Sequence, residues 1–211
     1  MSRINPSALD GYPLPIASVF AAAAAIFMLT VWEPLQQRSL SEATRAAPIP
    51  TPAWMDSTFT TSDGNTATLS ASNGHVRIVT MMYAHCPGIC SMSLATMRRI
   101  EDQLSLADRE RLRLVALTLD PEQDSVASLA AFRQEHGMTS ARWTLGRPSS
   151  ASVARIAAGL GITYRAMPDG TIDHQGEFAL LDAGGQVIAK TSHTQNPDPG
   201  FLAQVQHALE Q

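Results

Sequence analysis

Cys86 and Cys90 are the two cysteines of this chain, and they limit the folds it can adopt more than any other pattern in it. They lie in the segment Tyr83-Ala-His-Cys-Pro-Gly-Ile-Cys90, and without a third cysteine no separate structural disulfide can form. The two sulfurs can bond each other or share a soft metal ion, since thiolates favour Cu(I), Zn or redox chemistry. Two buried apolar cysteines are the structural alternative, but Pro87-Gly88 between them is an unusual way to fill a core.

An apolar segment precedes the cysteine pair and a helical pattern follows it. Val76–Tyr83 reads Val-Arg-Ile-Val-Thr-Met-Met-Tyr, which predicts a buried strand. Apolar residues then recur at helical spacing from Ser91 to Leu104. This order places both sulfurs near a helix N-terminus, where backbone N–H groups and the helix dipole favour thiolates. The spacing puts both sulfurs on one helix face if Cys86 lies in the first turn.

The N-terminal part of the chain predicts a membrane anchor. After a tail at residues 1–15, Ile16–Trp32 is an uncharged, Ala-rich run of 17 residues. A spanning helix needs at least about 17 apolar residues, whereas the apolar core of a cleaved signal peptide, the alternative, has about 7–15. Residues 33–53 are polar and aperiodic, which is typical of a tether. The folded domain is predicted at residues 54–211.

Charge gives little information about orientation or partners. Arg3 is the one basic residue before the apolar run, so the positive-inside rule gives almost no information on the orientation of the predicted anchor. We expect the domain to lie outside the cytoplasm because of its cysteine chemistry. The formal net charge of −4 leaves no basic patch, so we expect no nucleic-acid partner.

Strand and helix patterns alternate along residues 54–211. Asn73-Gly74 and Asp182–Gly185 predict hairpin turns. The other predicted elements are strands at Thr66–Ser70, Leu112–Leu119, Phe178–Leu181 and Gln186–Ala189, and helices beginning at Asp124 or Ser125, at Ser149 or Ser150, and at Asp198. This order predicts an α/β, thioredoxin-like fold with a mixed central sheet flanked by helices.

A histidine stands where thioredoxins carry a cis-proline. The strand expected to face the cysteines, Glu177–Leu181, follows Asp173-His174-Gln175-Gly176, which contains no proline. Two thiolates and one imidazole form a site that can hold Cu(I) through its sulfurs, or Cu(II) with an added ligand.

Three motifs together resemble the SCO/SenC family: Cys-Pro at a strand end, Leu117-Thr-Leu-Asp120-Pro-Glu-Gln-Asp124, and Asp173-His174 before a strand and hairpin. The resemblance covers Phe59–Leu209. Family members are membrane-anchored, thioredoxin-fold copper chaperones that assist the CuA site of cytochrome c oxidase. The resemblance implies copper ligation by Cys86, Cys90 and His174, with Cys86 and Cys90 also able to form a redox disulfide. Ser91, Gly88 and Gln175 depart from the usual pattern, which suggests a divergent member.

The same resemblance implies partners and a location. The copper acceptor would be a copper protein such as cytochrome c oxidase subunit II, and a periplasmic copper donor would supply the metal. A single-pass anchor would hold the chain in the cell inner membrane, with the domain in the periplasm.

Three functions compete on the residues alone. A metallochaperone, which is not an enzyme, makes use of His174, whereas a thiol–disulfide reductase needs no such ligand. A peroxidase of the peroxiredoxin type is disfavoured because no Thr or Ser closely precedes Cys86. Asp120 is either a group that holds the cysteine helix or His174 in place or a cap of its own turn. His85, next to Cys86, could be a fourth ligand or tune the thiolate, but a histidine at a strand end beside a site is more often a neighbour of the ligands or solvent-facing.

Overall fold

A seven-stranded mixed sheet is the centre of the fold in the computed structural model, which describes residues 51–211. Its strands are β1 (Thr58–Thr61), β2 (Thr66–Thr68), β3 (Val76–Met82), β4 (Leu112–Thr118), β5 (Trp143–Pro148), β8 (Phe178–Leu181) and β9 (Val187–Thr191). A separate two-stranded hairpin consists of β6 (Tyr164–Ala166) and β7 (Ile172–His174). The helices are α1 (Ile89–Asp102), α2 (Leu106–Arg111), α3 (Val126–Glu135), α4 (Ser150–Leu160) and α5 (Pro199–Glu210).

The strand order is β2-β1-β5-β4-β3-β8-β9. The three central strands β3, β4 and β5 are parallel, and the pairs at both edges are antiparallel. All seven residues of β3 are buried, which is expected of a strand covered on both faces.

Helices cover both faces of the sheet and create two apolar cores. One core joins strand residues such as Ile78 and Leu114 to α1, α3 and α5. The other joins Val79 and Leu117 to α4 and to Met55 in the short 3-10 helix Ala53–Asp56. The predicted thioredoxin-like fold, a mixed sheet flanked by helices, is thereby confirmed.

Strands β3 and β4 end side by side, and this arrangement positions the candidate site. Met82, the last residue of β3, pairs in parallel with Thr118, the last residue of β4. The carboxyl ends of parallel strands meet at one edge of a sheet, where binding sites commonly form. The loops that follow the two strands, residues 83–88 and 119–125, therefore emerge together.

Several details of the predicted elements are wrong. The strand predicted at Thr66–Ser70 ends at Thr68 and gives way to a 3-10 helix, Ser70–Ser72. Asn73-Gly74 is not a hairpin turn, because β2 pairs with β1 and not with β3. The hairpin at Asp182–Gly185 is confirmed by the antiparallel pairing of β8 with β9.

The sequence patterns also missed β5 and the β6–β7 hairpin. Gly146 and Arg147 interrupt the apolar pattern of β5. The glycine is required, because a Cβ at position 146 would lie 2.4 Å from Cδ2 of Phe59, which packs across it from β1.

The predicted tail at residues 1–15 and anchor at residues 16–32 lie outside the described residues and stay predictions. The tether and the domain boundary after residue 53 stay predictions as well. Among the helices of residues 51–211, none combines the length and apolar character that crossing a membrane requires.

Candidate metal centre

The two cysteines lie on a turn and on the helix that follows it. Cys90 is in the first turn of α1 and is buried, whereas Cys86 precedes the helix and is half-buried. Cys86 is not in the first helical turn, which the predicted shared helix face of the two sulfurs would require. The helix begins only after its N-cap, Gly88, whose φ is 131°. This backbone conformation favours glycine, and the turn that it makes brings Cys86 back over the helix end.

His174 is the last residue of β7, and several contacts hold the chain after it in place. The Ser93 hydroxyl of α1 donates a hydrogen bond to the Gly176 carbonyl (3.3 Å), and the Thr80 hydroxyl of β3 donates to the Glu177 carbonyl (2.8 Å). Gly176 has φ of 65°, and a Cβ there would lie 2.7 Å from the Ser93 hydroxyl oxygen. The site therefore depends on close packing of this segment against α1.

Three ligand atoms converge at this point. His174 Nε2 lies 3.4 Å from the Cys90 sulfur and 3.9 Å from the Cys86 sulfur, and all three atoms lie within 4.8 Å of one another. Ligands bound at about 2.0–2.3 Å to one ion lie roughly 3.5–4 Å apart, so only small shifts are needed to hold a metal. Within residues 51–211, this is the one group of three His, Cys, Asp or Glu side chains with metal-binding spacing.

The two sulfurs have opposite acid–base properties. The Cys90 thiol donates a hydrogen bond to the Cys86 sulfur, and together with the facing His174 ring this lowers the pKa of Cys86 to about 4. The same hydrogen bond and burial raise the pKa of Cys90. At neutral pH the pair therefore holds one thiolate, on the more exposed sulfur, and one proton, on the buried sulfur. A thiolate on Cys86 is ready to bind a metal or attack a disulfide.

The His174 ring is oriented by a backbone group. Its Nδ1 accepts a hydrogen bond from the Gly176 N–H (3.3 Å), so in the neutral ring the proton lies on Nε2 and points at the sulfurs. Ligating histidines usually donate their second ring N–H to a carboxylate or carbonyl. Metal binding at Nε2 therefore requires this proton to move to Nδ1, at the loss of the hydrogen bond from the Gly176 N–H.

The structure places Asp124 beside the site. The Asp124 carboxylate is buried, and its Oδ2 accepts from the Ala84 N–H (3.0 Å) and from the Thr118 hydroxyl. Asp124 thereby ties the loop after β4 to the loop that carries the cysteines. The carboxylate of Asp120 instead accepts from the Gln123 N–H (3.3 Å), the contact expected of a turn cap. Ser125, not Asp124, caps α3 through the Ser128 N–H.

Tyr83 is a second residue that the sequence patterns did not single out. Its hydroxyl accepts a hydrogen bond from the Ile172 N–H (3.3 Å), and its ring meets the His174 ring edge-on with centroids 5.8 Å apart. Burial raises the pKa of Tyr83. Tyr83 thus joins the end of β3 to the hairpin that carries His174. Its place directly before the cysteine loop was the available signal.

The other histidines near the site have different surroundings. His193 lies in the loop of residues 192–198, where its Nδ1 faces the Asp198 carboxylate at 3.2 Å. His136 donates through Nδ1 to the Phe132 carbonyl and accepts from the Ser91 hydroxyl (3.0 Å). Ser91, where the family usually has proline, thus ties α1 to the end of α3.

A thioredoxin-like domain with two cysteines and a histidine placed to share one ion defines a class of metal-binding proteins. Within that class the family is clear: a model of the SCO1/SenC family matches residues 50–210, and the chain belongs to that family. The membership predicted from the three motifs is confirmed.

Individual relatives agree with this assignment. A Stutzerimonas stutzeri protein named "Putative copper-binding protein" is 27% identical over 123 residues, which are 54% of this chain and just over half, 56%, of that protein. The "SCO1 protein homolog" of Bacillus subtilis is 24% identical over 72% of this chain and 80% of its own length. The structure of Bradyrhizobium japonicum ScoI with copper bound has a TM-score of 0.60 at 18% identity and covers 72% of this chain and 96% of its own. The last comparison shows a common fold.

Proposed function

We propose that this chain is a copper metallochaperone that binds copper through Cys86, Cys90 and His174 and passes it to a copper protein. The observation that carries the proposal is the convergence of two sulfurs and one imidazole nitrogen within 4.8 Å. Two soft thiolates with a single imidazole suit copper. The copper-bound ScoI relative supports the same choice.

The burial of the three ligands suits a metal that is handed on. Cys90 and His174 are buried, whereas Cys86 is half-exposed. Ligands of a partner protein can therefore approach from the Cys86 side and replace the site's own ligands one at a time. A chaperone needs such an open side, since a fully enclosed ion could not leave.

The proposed acceptor is the CuA centre of cytochrome c oxidase subunit II or a related copper protein, and the proposed donor is a periplasmic copper carrier. The predicted anchor at residues 16–32 would hold the chain in the inner membrane with the domain in the periplasm. Family membership supports this setting, because members assist oxidase assembly there.

A thiol–disulfide reductase is the second candidate, and the opposite pKa shifts of the two cysteines favour it. A low-pKa Cys86 thiolate can attack a disulfide of a target protein, and Cys90 can then resolve the mixed disulfide. Both functions use the same sulfurs, so each reduction of a target disulfide would leave a Cys86–Cys90 disulfide and remove the copper site.

His174→Ala separates the two functions. In the chaperone, loss of the imidazole should weaken Cu(II) binding strongly and Cu(I) binding less, because two thiolates still hold the softer ion. Reduction of a protein disulfide by the same preparation should change little. His193→Ala, which removes an exposed histidine outside the cluster, is the matched control and should leave both properties unchanged. Intact Cu(II) affinity and spectrum together with slower thiol exchange in His174→Ala would replace the chaperone by the reductase.

A further inference from the structure

His85 is the exposed neighbour of the site. It precedes Cys86 in the loop between β3 and α1, and its side chain is 72% exposed, whereas Cys90 and His174 are buried. Copper arriving from solvent or from a donor protein has to pass this side of the cluster, because the half-exposed Cys86 is the accessible ligand. His85 is therefore an exposed histidine directly next in sequence to the accessible ligand.

A buried carboxylate lies behind the His85 ring. Asp124 is 1% exposed, and its Oδ2 is occupied by the Ala84 N–H and the Thr118 hydroxyl. Its other oxygen, Oδ1, is buried without a hydrogen-bond partner and faces His85 Nδ1 at 3.7 Å. An unpaired buried carboxylate oxygen is costly, so Oδ1 favours a ring with its proton on Nδ1. The lone pair of His85 is then on Nε2.

Imidazole backed by a carboxylate is a common arrangement in metal sites, because the carboxylate fixes the tautomer and raises the basicity of the ligating nitrogen. His174 lacks such support, since its Nδ1 accepts a backbone N–H. The histidine whose Nδ1 faces a carboxylate, as in many metal sites, is thus His85, which lies outside the three-ligand cluster. This contrast suits an entry ligand, which binds the ion first and then releases it.

We propose that His85 is a transient copper ligand at the entrance of the site, oriented by Asp124, that accepts copper from its donor and passes it to Cys86. The step is a ligand exchange without electron transfer. A bond from His85 Nε2 to Cu(I) replaces one donor ligand, and the Cys86 thiolate then replaces His85. The inference rests on the proposed copper-binding function.

The test measures the rate of copper uptake separately from its end point. Reduced full-length chain is mixed anaerobically with the Cu(I)–bicinchoninate complex, and transfer is followed by loss of the complex's absorbance. His85→Ala should reach the same final occupancy as wild type but about tenfold more slowly. His207→Ala is the matched control, because His207 is also 72% exposed and faces a carboxylate, that of Glu210, on α5. It should take up copper at the wild-type rate.

Two further measurements distinguish ligation from a structural role. Free imidazole should restore the rate of His85→Ala more than it alters that of wild type, because it can occupy the vacated position. Asp124→Asn should slow uptake in the wild-type background but add nothing in His85→Ala. A wild-type rate in His85→Ala, equal slowing in His207→Ala, no rescue by imidazole, or additive effects with Asp124→Asn would each overturn the proposal. If even the wild-type chain takes up no copper at the end point, the proposed function itself fails.

Discussion

Gly176 connects the backbone of this fold most directly to its candidate metal site. It follows His174 by two residues, has φ of 65°, and lies against α1. An alanine Cβ at position 176 would lie 2.7 Å from Ser93 Oγ, 2.8 Å from Thr194 Cγ2 and 3.0 Å from Ile89 Cγ1. These atoms belong to packed side chains, so the substitution has to move the segment that carries His174.

The expected loss of unfolding free energy in Gly176→Ala has two parts. A non-glycine residue in the left-handed region costs about 1–2 kcal/mol, and overpacking of a close contact costs about 1–3 kcal/mol more. Gly176→Ala should therefore destabilise the domain by about 2–5 kcal/mol. Gly170→Ala is the matched control, because Gly170 lies in the turn of the same hairpin with φ of 84° and has no atom within 4 Å of an added Cβ. It should cost only the backbone part, about 1–2 kcal/mol.

Thermal unfolding and Cu(II) titration of the full chain measure the two consequences. Each kcal/mol lowers Tm by about 2–4 °C for a domain of this size, so Gly176→Ala should show the larger loss. Gly176→Ala should also weaken Cu(II) binding by at least about tenfold, since its shifted backbone misplaces His174, whereas Gly170→Ala should bind normally. Equal losses of Tm in the two variants, or full Cu(II) affinity in Gly176→Ala, would refute the packing argument.

Two other substitutions test the electrostatics and the loop contact. Cys90→Ala removes the main cause of the low Cys86 pKa, so that pKa should rise. In the variant, alkylation of Cys86 by iodoacetamide should then accelerate between pH 6 and 8 as the thiolate forms. The wild-type rate should stay nearly constant over this range, because a thiol with a pKa of about 4 is already ionised. A constant rate in the variant would contradict the assigned cause of the low pKa. Asp124→Ala leaves the Ala84 N–H without its acceptor and should cost about 1–3 kcal/mol in urea unfolding, so an unchanged midpoint would contradict the role of Asp124 in tying the two loops together.

The sequence was sufficient to predict the site where its residues are rare and tied to strand ends. Two cysteines between an apolar strand and a helical pattern could be placed at a helix N-terminus from that order. His174 could be proposed because it precedes the strand expected to face the cysteines, where a thioredoxin was expected to carry its cis-proline. The turn that brings Cys86 over the helix end could not be predicted, because it depends on the unusual φ of Gly88.

Asp124 illustrates why neighbouring residues escape such reasoning. Because Asp124 directly precedes Ser125, its position in the sequence predicts a helix cap. In the motif Asp-Pro-x-x-Asp, Asp120 is an equally good candidate for a role beside the site. Its actual place depends on the parallel pairing of Met82 with Thr118, which brings two distant loops together. Strand β5 was missed for a related reason, since Gly146 makes sense only once Phe59 is packed across it.

The most direct test of the account is an anaerobic copper titration of the reduced full-length chain, with metal content and free thiols measured on one preparation. The account predicts one copper per chain, no binding in Cys86→Ser or Cys90→Ser, and no binding once a Cys86–Cys90 disulfide is confirmed, because each change removes a thiolate that the site cannot spare. Unchanged stoichiometry in either variant, or full uptake by the oxidised chain, would contradict it.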